Sequence, residues 1–257
     1  MSDFLASMAK SSAERAANAP TFTAGDFDKP VVPLSLSSFD VIAEIKRRSP
    51  AEGHLSDSNP ALRAEQYATG GAAAISVLTE PSRFDGSLEH LEEVVAQVPA
   101  TPVMRKDFLV DPVQVLEARK AGASGVLLIT TMLDDVSLRS MLDCAFEHSM
   151  FVLLESFDAD DLQRSARYRG SDGQLLIGVN TRNLRTLEVD PDRLQRLADS
   201  LPNAVCVAES GLRVAEDAAR VAGWGYSMAL VGTALMRSDD PTALIDAMRV
   251  AGAAACS

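Results

Sequence analysis

Six polar residues stand where apolar runs end, and their types describe an acid–base site. Glu44 and Lys46 close the run that begins at Val41, Lys106 closes the run from Val103, and Glu155 the run from Phe151. Asn180 ends the run from Leu175, and Glu209 the run from Val205. Two ammoniums and three carboxylates can neutralise one another and shift each other's proton affinity, which is what proton transfer near neutral pH requires. One charge of this kind is ordinarily a solvated residue or half of a surface ion pair. Recurrence at the ends of five separate runs is not explained that way.

A second chemical signal follows the last two runs, in Glu209-Ser210-Gly211 and Val231-Gly232-Thr233. Small-residue turns leading into helical sequence let backbone N–H groups approach an oxyanion, and turns after strands seven and eight of a barrel often hold phosphate. A helix dipole supplies only about 0.3 to 2 kcal/mol. A phosphate therefore also needs charge-assisted hydrogen bonds, worth about 1.5 to 3 kcal/mol each.

The elements that must position these groups alternate regularly. Buried-strand patterns run over Val41 to Lys46, Ala73 to Leu78, Val103 to Lys106, Gly125 to Ile129, Phe151 to Glu155, Leu175 to Asn180, Val205 to Glu209 and Met228 to Val231. Each is followed by a segment with helical periodicity. Asn59-Pro60, Asp111-Pro112, Asp190-Pro191 and Asp240-Pro241 read as helix starts, where the side chain caps free N–H groups and proline loses no hydrogen bond. Gly70, Gly122 and Gly223 fall where helices should stop, in the left-handed conformation glycine tolerates.

Strict alternation implies parallel strands, and eight units favour a closed (β/α)8 barrel, the TIM barrel, of about 250 residues. No dinucleotide-binding glycine fingerprint follows the first strand, which counts against an open doubly wound sheet. Residues alternate across a strand, so Ile42, Glu44 and Lys46 share one side and point into the barrel if Ile42 does. Residues 1–40 are expected to form an N-terminal helical extension and linker, and residues 41–257 the barrel, within one domain. Asp3 to Asn18 reads as an extra helix or a frayed tail, and Ala19 to Ser38, with three prolines, as irregular chain over the barrel.

Composition bounds the partners. The 257 residues are 47% apolar and 23% charged, as in ordinary globular proteins, and the net charge of −12 argues against nucleic acid or anionic membrane as a partner. An anionic substrate must then be held by local positive groups. Cys144, Cys206 and Cys256 are odd in number and in no metal-ligand spacing, and neither a signal peptide nor a transit peptide is legible at the start. A cytoplasmic protein, monomeric or weakly homo-oligomeric, is the expectation.

The motifs also resemble a known family. Ala43-Glu44-Ile45-Lys46-Arg47-Arg48-Ser49-Pro50, Ser76-Val77-Leu78-Thr79-Glu80, Phe84-Asp85-Gly86-Ser87-Leu88 and Arg105-Lys106-Asp107-Phe108 stand in this order. They are followed by Asn180-Thr181-Arg182-Asn183-Leu184, Ala208-Glu209-Ser210-Gly211 and Val231-Gly232-Thr233-Ala234-Leu235-Met236. The set is similar to that of the indole-3-glycerol-phosphate synthases of tryptophan biosynthesis, carboxy-lyases that close the indole ring.

The resemblance implies conversion of 1-(2-carboxyphenylamino)-1-deoxyribulose 5-phosphate to indole-3-glycerol phosphate, with loss of carbon dioxide and water and without metal or organic cofactor. It implies that Lys106 protonates the ribulose carbonyl and that Lys46 meets the substrate carboxylate and later helps expel hydroxide. Glu44 and Glu155 resemble acid–base partners, and Asn180, Arg182 and Glu209 residues that orient substrate and intermediate. Ser49, Ser210, Gly211, Gly232 and Thr233 match the phosphate site, and Pro50, Phe84, Leu184 and Leu187 the aromatic-ring site.

Three departures stand out: Ala51-Glu52 where Ser-Lys is usual, Ser156-Phe157 where Val-His is common, and Thr233 for serine. The related phosphoribosylanthranilate isomerases are a poorer match. They place a cysteine at the first strand's end and an aspartate at the sixth, where this chain has the Glu44 and Lys46 pair and Asn180. Intact Lys46, Lys106 and Glu155 likewise speak against a silent binding module.

Overall fold

Branched and aliphatic residues buried on both faces give eight parallel strands. They are β1 (Asp40–Ile45), β4 (Ala74–Leu78), β5 (Val103–Lys106), β6 (Gly125–Ile129), β7 (Phe151–Ser156), β8 (Leu175–Asn180), β9 (Val205–Glu209) and β10 (Met228–Val231). A short antiparallel hairpin, β2 (Arg48–Ser49) with β3 (Gly53–His54), follows β1. The helices are α1 (Asp3–Ala17), α2 (Pro60–Thr69), α3 (Pro81–Phe84), α4 (Leu88–Gln97), α5 (Pro112–Ala121), α6 (Asp135–Glu147), α7 (Ala159–Ser165), α8 (Arg193–Arg196), α9 (Ala215–Gly223), α10 (Thr233–Arg237) and α11 (Pro241–Ala255). The structure, a computed structural model, describes residues 3–49, 53–55, 59–170, 174–182, 184 and 188–256, with the backbone alone for Asp3 and Ser49.

The sheet closes because β1 pairs with β10 on one side and β4 on the other, making the expected TIM barrel. Alternation along each strand divides the core in two. Ile42, Ala74, Met104, Leu153, Val207 and Leu230 pack inside the barrel. Their neighbours Val41, Ile75, Val103, Leu154, Ala208 and Val231 face outward against the helices. Five strands keep their expected bounds, while β1 and β4 shift by one residue and β7 extends to Ser156.

Asn59, Asp111 and Asp240 cap as expected, accepting from the backbone N–H of Ala61 at 2.8 Å, Val113 at 2.8 Å and Ala243 at 2.9 Å. Asp190-Pro191 does not start a helix. An isolated bridge pairs Arg182 with Val189, the Asp190 N–H donates to Thr181 O at 2.9 Å, and its carboxylate is taken by Arg196, so the single turn α8 begins only at Arg193. Among the described residues, the segment after β8 accordingly carries no full helix. Of the three helix-stop glycines, only Gly122 adopts the left-handed conformation, at φ 96°. Gly70 stays right-handed and Gly223 stays helical, and the turns fall on Gly71 and Gly225.

The N-terminal helix is docked. Leu5 and Met8 of α1 are buried against the interior cluster, and Arg15 holds Asp107, just beyond β5, with two contacts of 2.8 Å. The linker then descends the outside of the barrel. Lys29 Nζ donates to Ala121 O at the end of α5, Val32 N–H to Ser124 Oγ before β6, and Ser37 N–H to Asp40 Oδ2 at the start of β1. No helix among the described residues is long and apolar enough to cross a membrane.

Candidate active site

The carboxyl ends of the strands surround a cavity of about 760 Å³ that holds all six strand-end polar residues. Glu44 is its electrostatic centre. One carboxylate oxygen lies 2.7 Å from Lys46 Nζ, the other 3.5 Å from Lys106 Nζ, and Lys106 Nζ is also 3.9 Å from Glu155 Oε2. Glu44, Glu155 and Glu209 are almost fully buried, and the lysine side chains are slightly exposed to the cavity.

Burial opposes charge on all of these groups, but the pairs win where they form. Desolvation pulls Lys106 down, yet Glu44, Glu155 and Glu209 together lift it above the ordinary lysine range. Desolvation raises Glu44, yet Lys46 and Lys106 bring it below the ordinary carboxyl value. Glu209 differs. Desolvation and then the neighbouring Glu155 push it well above its ordinary value, against a weaker pull from Lys106.

Two glycines make this crowding possible. A side chain at Gly178 would overlap the Glu209 carboxyl, and one at Gly232 would overlap Glu44 and press on Lys46 Nζ. Asn180 is held by its own loop, with Oδ1 accepting from the Arg182 N–H at 2.9 Å and its carbonyl from Arg193 Nη1 at 2.8 Å.

The cavity has two unlike sides. One is apolar: Phe84 and Phe108 sit 6.2 Å apart by ring centroids, and Phe4 of α1 meets Phe108 edge-on at 5.8 Å. Leu184 also lines the cavity. The other side carries the glycine turns. Ser210 and Gly211 are consecutively left-handed, at φ 67° and 84°. Gly232 and Thr233 open α10 with no side-chain cap, and Arg213 and Arg237 line the same cavity. Arg182 lines it as well. Local positive charge thus collects at the mouth of an acidic chain.

The site residues inferred from sequence therefore fall together, apart from three. Pro50 and Leu187 lie outside the described residues, and of Ser49 the backbone alone is described, in β2. Ala51 and Glu52 also lie outside them. The Ser156-Phe157 departure has a local account. Ser156 Oγ is 3.0 Å from Ser165 Oγ, itself 2.9 Å from Thr130 Oγ1, and Phe157 packs on the interior cluster.

Sequence reasoning missed Phe4, Phe108, Arg213 and Arg237 as lining residues. Phe108 could have been found, because it lies two residues beyond Lys106. Phe4 carries no such signal, since it reaches the mouth only by the docking of α1.

The comparisons with known proteins agree with one another. A family model described as indole-3-glycerol phosphate synthase matches residues 24–248. An indole-3-glycerol phosphate synthase of Salinibacter ruber is 42% identical over 86% of this chain and 83% of its own length. One from a Nocardioides species is 46% identical over 87% and 86%. Among solved structures, 3-hexulose-6-phosphate synthase from Salmonella typhimurium superposes with a TM-score of 0.65 at 16% identity, over 84% of this chain and all of that one, which speaks to the fold alone.

Proposed function

The chain belongs to the indole-3-glycerol phosphate synthase family, carboxy-lyases of tryptophan biosynthesis, and from that membership we propose how its residues divide the ring closure. The substrate is 1-(2-carboxyphenylamino)-1-deoxyribulose 5-phosphate. Its carboxylated ring lies along Phe84, Phe108 and Leu184, and its phosphate at the turns of Ser210-Gly211 and Gly232-Thr233. Pro50, Leu187 and Ser49 join these two subsites by resemblance alone. Arg182 and Asn180 hold the substrate between them, the guanidinium fork on the carboxylate.

The carboxyl-bearing ring carbon attacks the ribulose carbonyl carbon, and Lys106 protonates the carbonyl oxygen as it becomes an alcohol. An ammonium held as firmly as Lys106 gives its proton only to an oxygen on its way to alkoxide. Loss of carbon dioxide returns its electron pair to the ring system, with Lys46 beside the departing carboxylate. Lys46 then protonates the leaving hydroxyl, and Glu155 accepts the proton released from the side-chain carbon next to nitrogen. Glu44 keeps Lys106 charged and holds Lys46 in an ion pair.

One observation carries this reading: a single carboxylate bridges two lysines beneath a cavity with an aromatic wall and two glycine turns. The test is to add the carboxyphenylamino substrate to purified protein and follow the fluorescence of indole-3-glycerol phosphate. Absence of product would overturn the reading. Inorganic phosphate should compete with substrate, and a crystal soaked in phosphate should place the ion against the backbone at Gly211 and Gly232. We also read the protein as cytoplasmic and monomeric or weakly homo-oligomeric, with residues 1–40 as an extension and 41–257 as the barrel of one domain.

A further inference from the structure

Glu209 is a buried acid without a visible partner. Both of its carboxyl oxygens are solvent-inaccessible and accept no hydrogen bond among the described residues, and the same holds for Glu155 Oε2. Glu209 Oε1 lies against Gly178, the residue of β8 that pairs in register with Glu155 of β7, so the two carboxyl groups stand beside each other on the rim. No donor stands between them among the described residues. Around the pair, β1 supplies Glu44 and Lys46, β5 supplies Lys106, and β8 supplies Asn180 and the side-chain-less Gly178. The facing residues of β6 and β10 are Ile129 and Leu230, which are apolar. Asp107, also at the mouth, is engaged by Arg15, Arg105 and Thr79. The strand ends thus set two lysines against three carboxylates, with Arg182, Arg213 and Arg237 also lining the cavity, and two carboxylates side by side without a donor between them cannot both stay ionised.

The geometry points to one proton shared between Glu209 and Glu155 in the substrate-free enzyme, passed to Lys106 once Lys106 has protonated the substrate carbonyl. The step balances. The acid loses its proton and becomes a carboxylate, and the neutral amine gains it and becomes an ammonium again. Lys106 Nζ is 3.9 Å from Glu155 Oε2, so the transfer needs only a small approach or one water.

This inference rests on the ring-closure reading above and resolves a difficulty in it. A pair already holding a proton is a poor base, yet a base must later remove a proton from the carbon beside nitrogen. Reloading Lys106 empties the pair before that step, and the removed proton refills it. Over one turnover the carbonyl oxygen takes up two protons and the carbon returns one. The net proton comes from water through Lys46.

The first test is the infrared carbonyl stretch of a protonated carboxyl group in substrate-free protein near neutral pH. A band present in the unmodified protein and missing from both Glu209→Gln and Glu155→Gln supports the shared proton, with circular dichroism checking that the variants fold. No such band overturns it. Turnover tests the transfer. Glu209→Gln should lose about 10²- to 10⁴-fold in kcat with little change in affinity for the product, and acetate should partly rescue Glu209→Ala, less so as pH rises above the acid's own pKa. Near-normal turnover in Glu209→Gln, or no rescue, would overturn the transfer. A band without any product from the unmodified protein would sustain the shared proton and overturn the ring-closure reading instead.

Discussion

Lys106 and Asp107 are neighbours in sequence and opposites in surroundings. Asp107 is buried and saturated: it accepts two hydrogen bonds from Arg15, one each from Arg105 and Thr79, and one from the Phe108 N–H. Its partner Arg105 is saturated too, reaching Thr79, Gln114 O and Glu117. One residue away, Lys106 meets carboxylates at 3.5 and 3.9 Å, and among the described residues Glu209 accepts no hydrogen bond. Strand alternation makes the division, sending Lys106 into the cavity and Arg105 behind it. A satisfied buried network stabilises a fold. An unsatisfied one keeps its donors and acceptors for a substrate.

Breaking each side should therefore damage a different property. Lys106→Met keeps most of the stem and removes the proton donor, so kcat should fall by about 10²- to 10⁴-fold while the melting temperature hardly moves. Near-normal turnover would pass the acid role to Lys46. Asp107→Ala leaves the part-exposed Arg15 without its carboxylate and the buried Arg105 with Glu117 alone, and removing one partner of a buried network costs up to about 3 to 5 kcal/mol of stability. Urea unfolding should show that loss as a lower midpoint. An unchanged midpoint with depressed turnover would make Asp107 part of the chemistry and erase the contrast.

Much of this division was legible in the sequence, and the rest was hidden for physical reasons. Strand ends such as Lys106 and Glu209 announce themselves because a charge closing an apolar run can point only to solvent or to a built site. Period-two alternation then sorts Glu44 and Lys46 onto one side without coordinates. Asp190-Pro191 misled because a capping pair describes local preference, while here tertiary partners, Thr181 and Arg196, claimed Asp190 first. Phe4 was illegible because α1 joins the mouth through Arg15 and Asp107, residues 92 apart in the chain. The pairing of Glu209 with Glu155 was also out of reach, since strand ends identify a rim but not who faces whom across it.

Arg182 sharpens the contrast, because an arginine can belong to either side of it. It lines the cavity, and its N–H is tied to Asn180 Oδ1. If the guanidinium serves the substrate carboxylate, Arg182→Ala should raise KM by about 10- to 100-fold, the worth of one charge-assisted pair of about 1.5 to 3 kcal/mol, at nearly unchanged thermal stability. Steady-state kinetics together with a thermal melt separate the possibilities. A clear loss of stability with normal KM would place Arg182 with Asp107 among the structural ion pairs.

The smallest expected effect is a stability change that depends on pH, and it tests whether Glu209 is strained in the way its empty surroundings imply. Burial, then Glu155, raise its folded-state pKa well above the ordinary value, so the folded protein holds that proton more tightly than the unfolded chain does. At acid pH, below the ordinary carboxyl pKa of about 4.3, the group is neutral in both states and Glu209→Gln should match the unmodified protein. As pH rises from there toward the raised pKa, the unfolded chain ionises and the folded one does not, so the unmodified protein loses stability that the glutamine variant keeps. Each pKa unit of difference is worth about 1.4 kcal/mol, and each kcal/mol moves the melting temperature by about 2 to 4 °C in a chain of this size. The melting curve of Glu209→Gln should therefore separate upward by a few degrees between acid and neutral pH. Glu44 slopes the other way, since its lowered pKa contributes stability above the ordinary value that is lost as pH falls through the folded one. Glu44→Gln should consequently fall behind the unmodified protein at lower pH, as pH rises from the lowered pKa to about 4.3, and keep a constant gap above it. Parallel melting curves for Glu209→Gln and the unmodified protein across that range would mean that the carboxyl has found a partner, and the unsatisfied half of the rim would be satisfied after all.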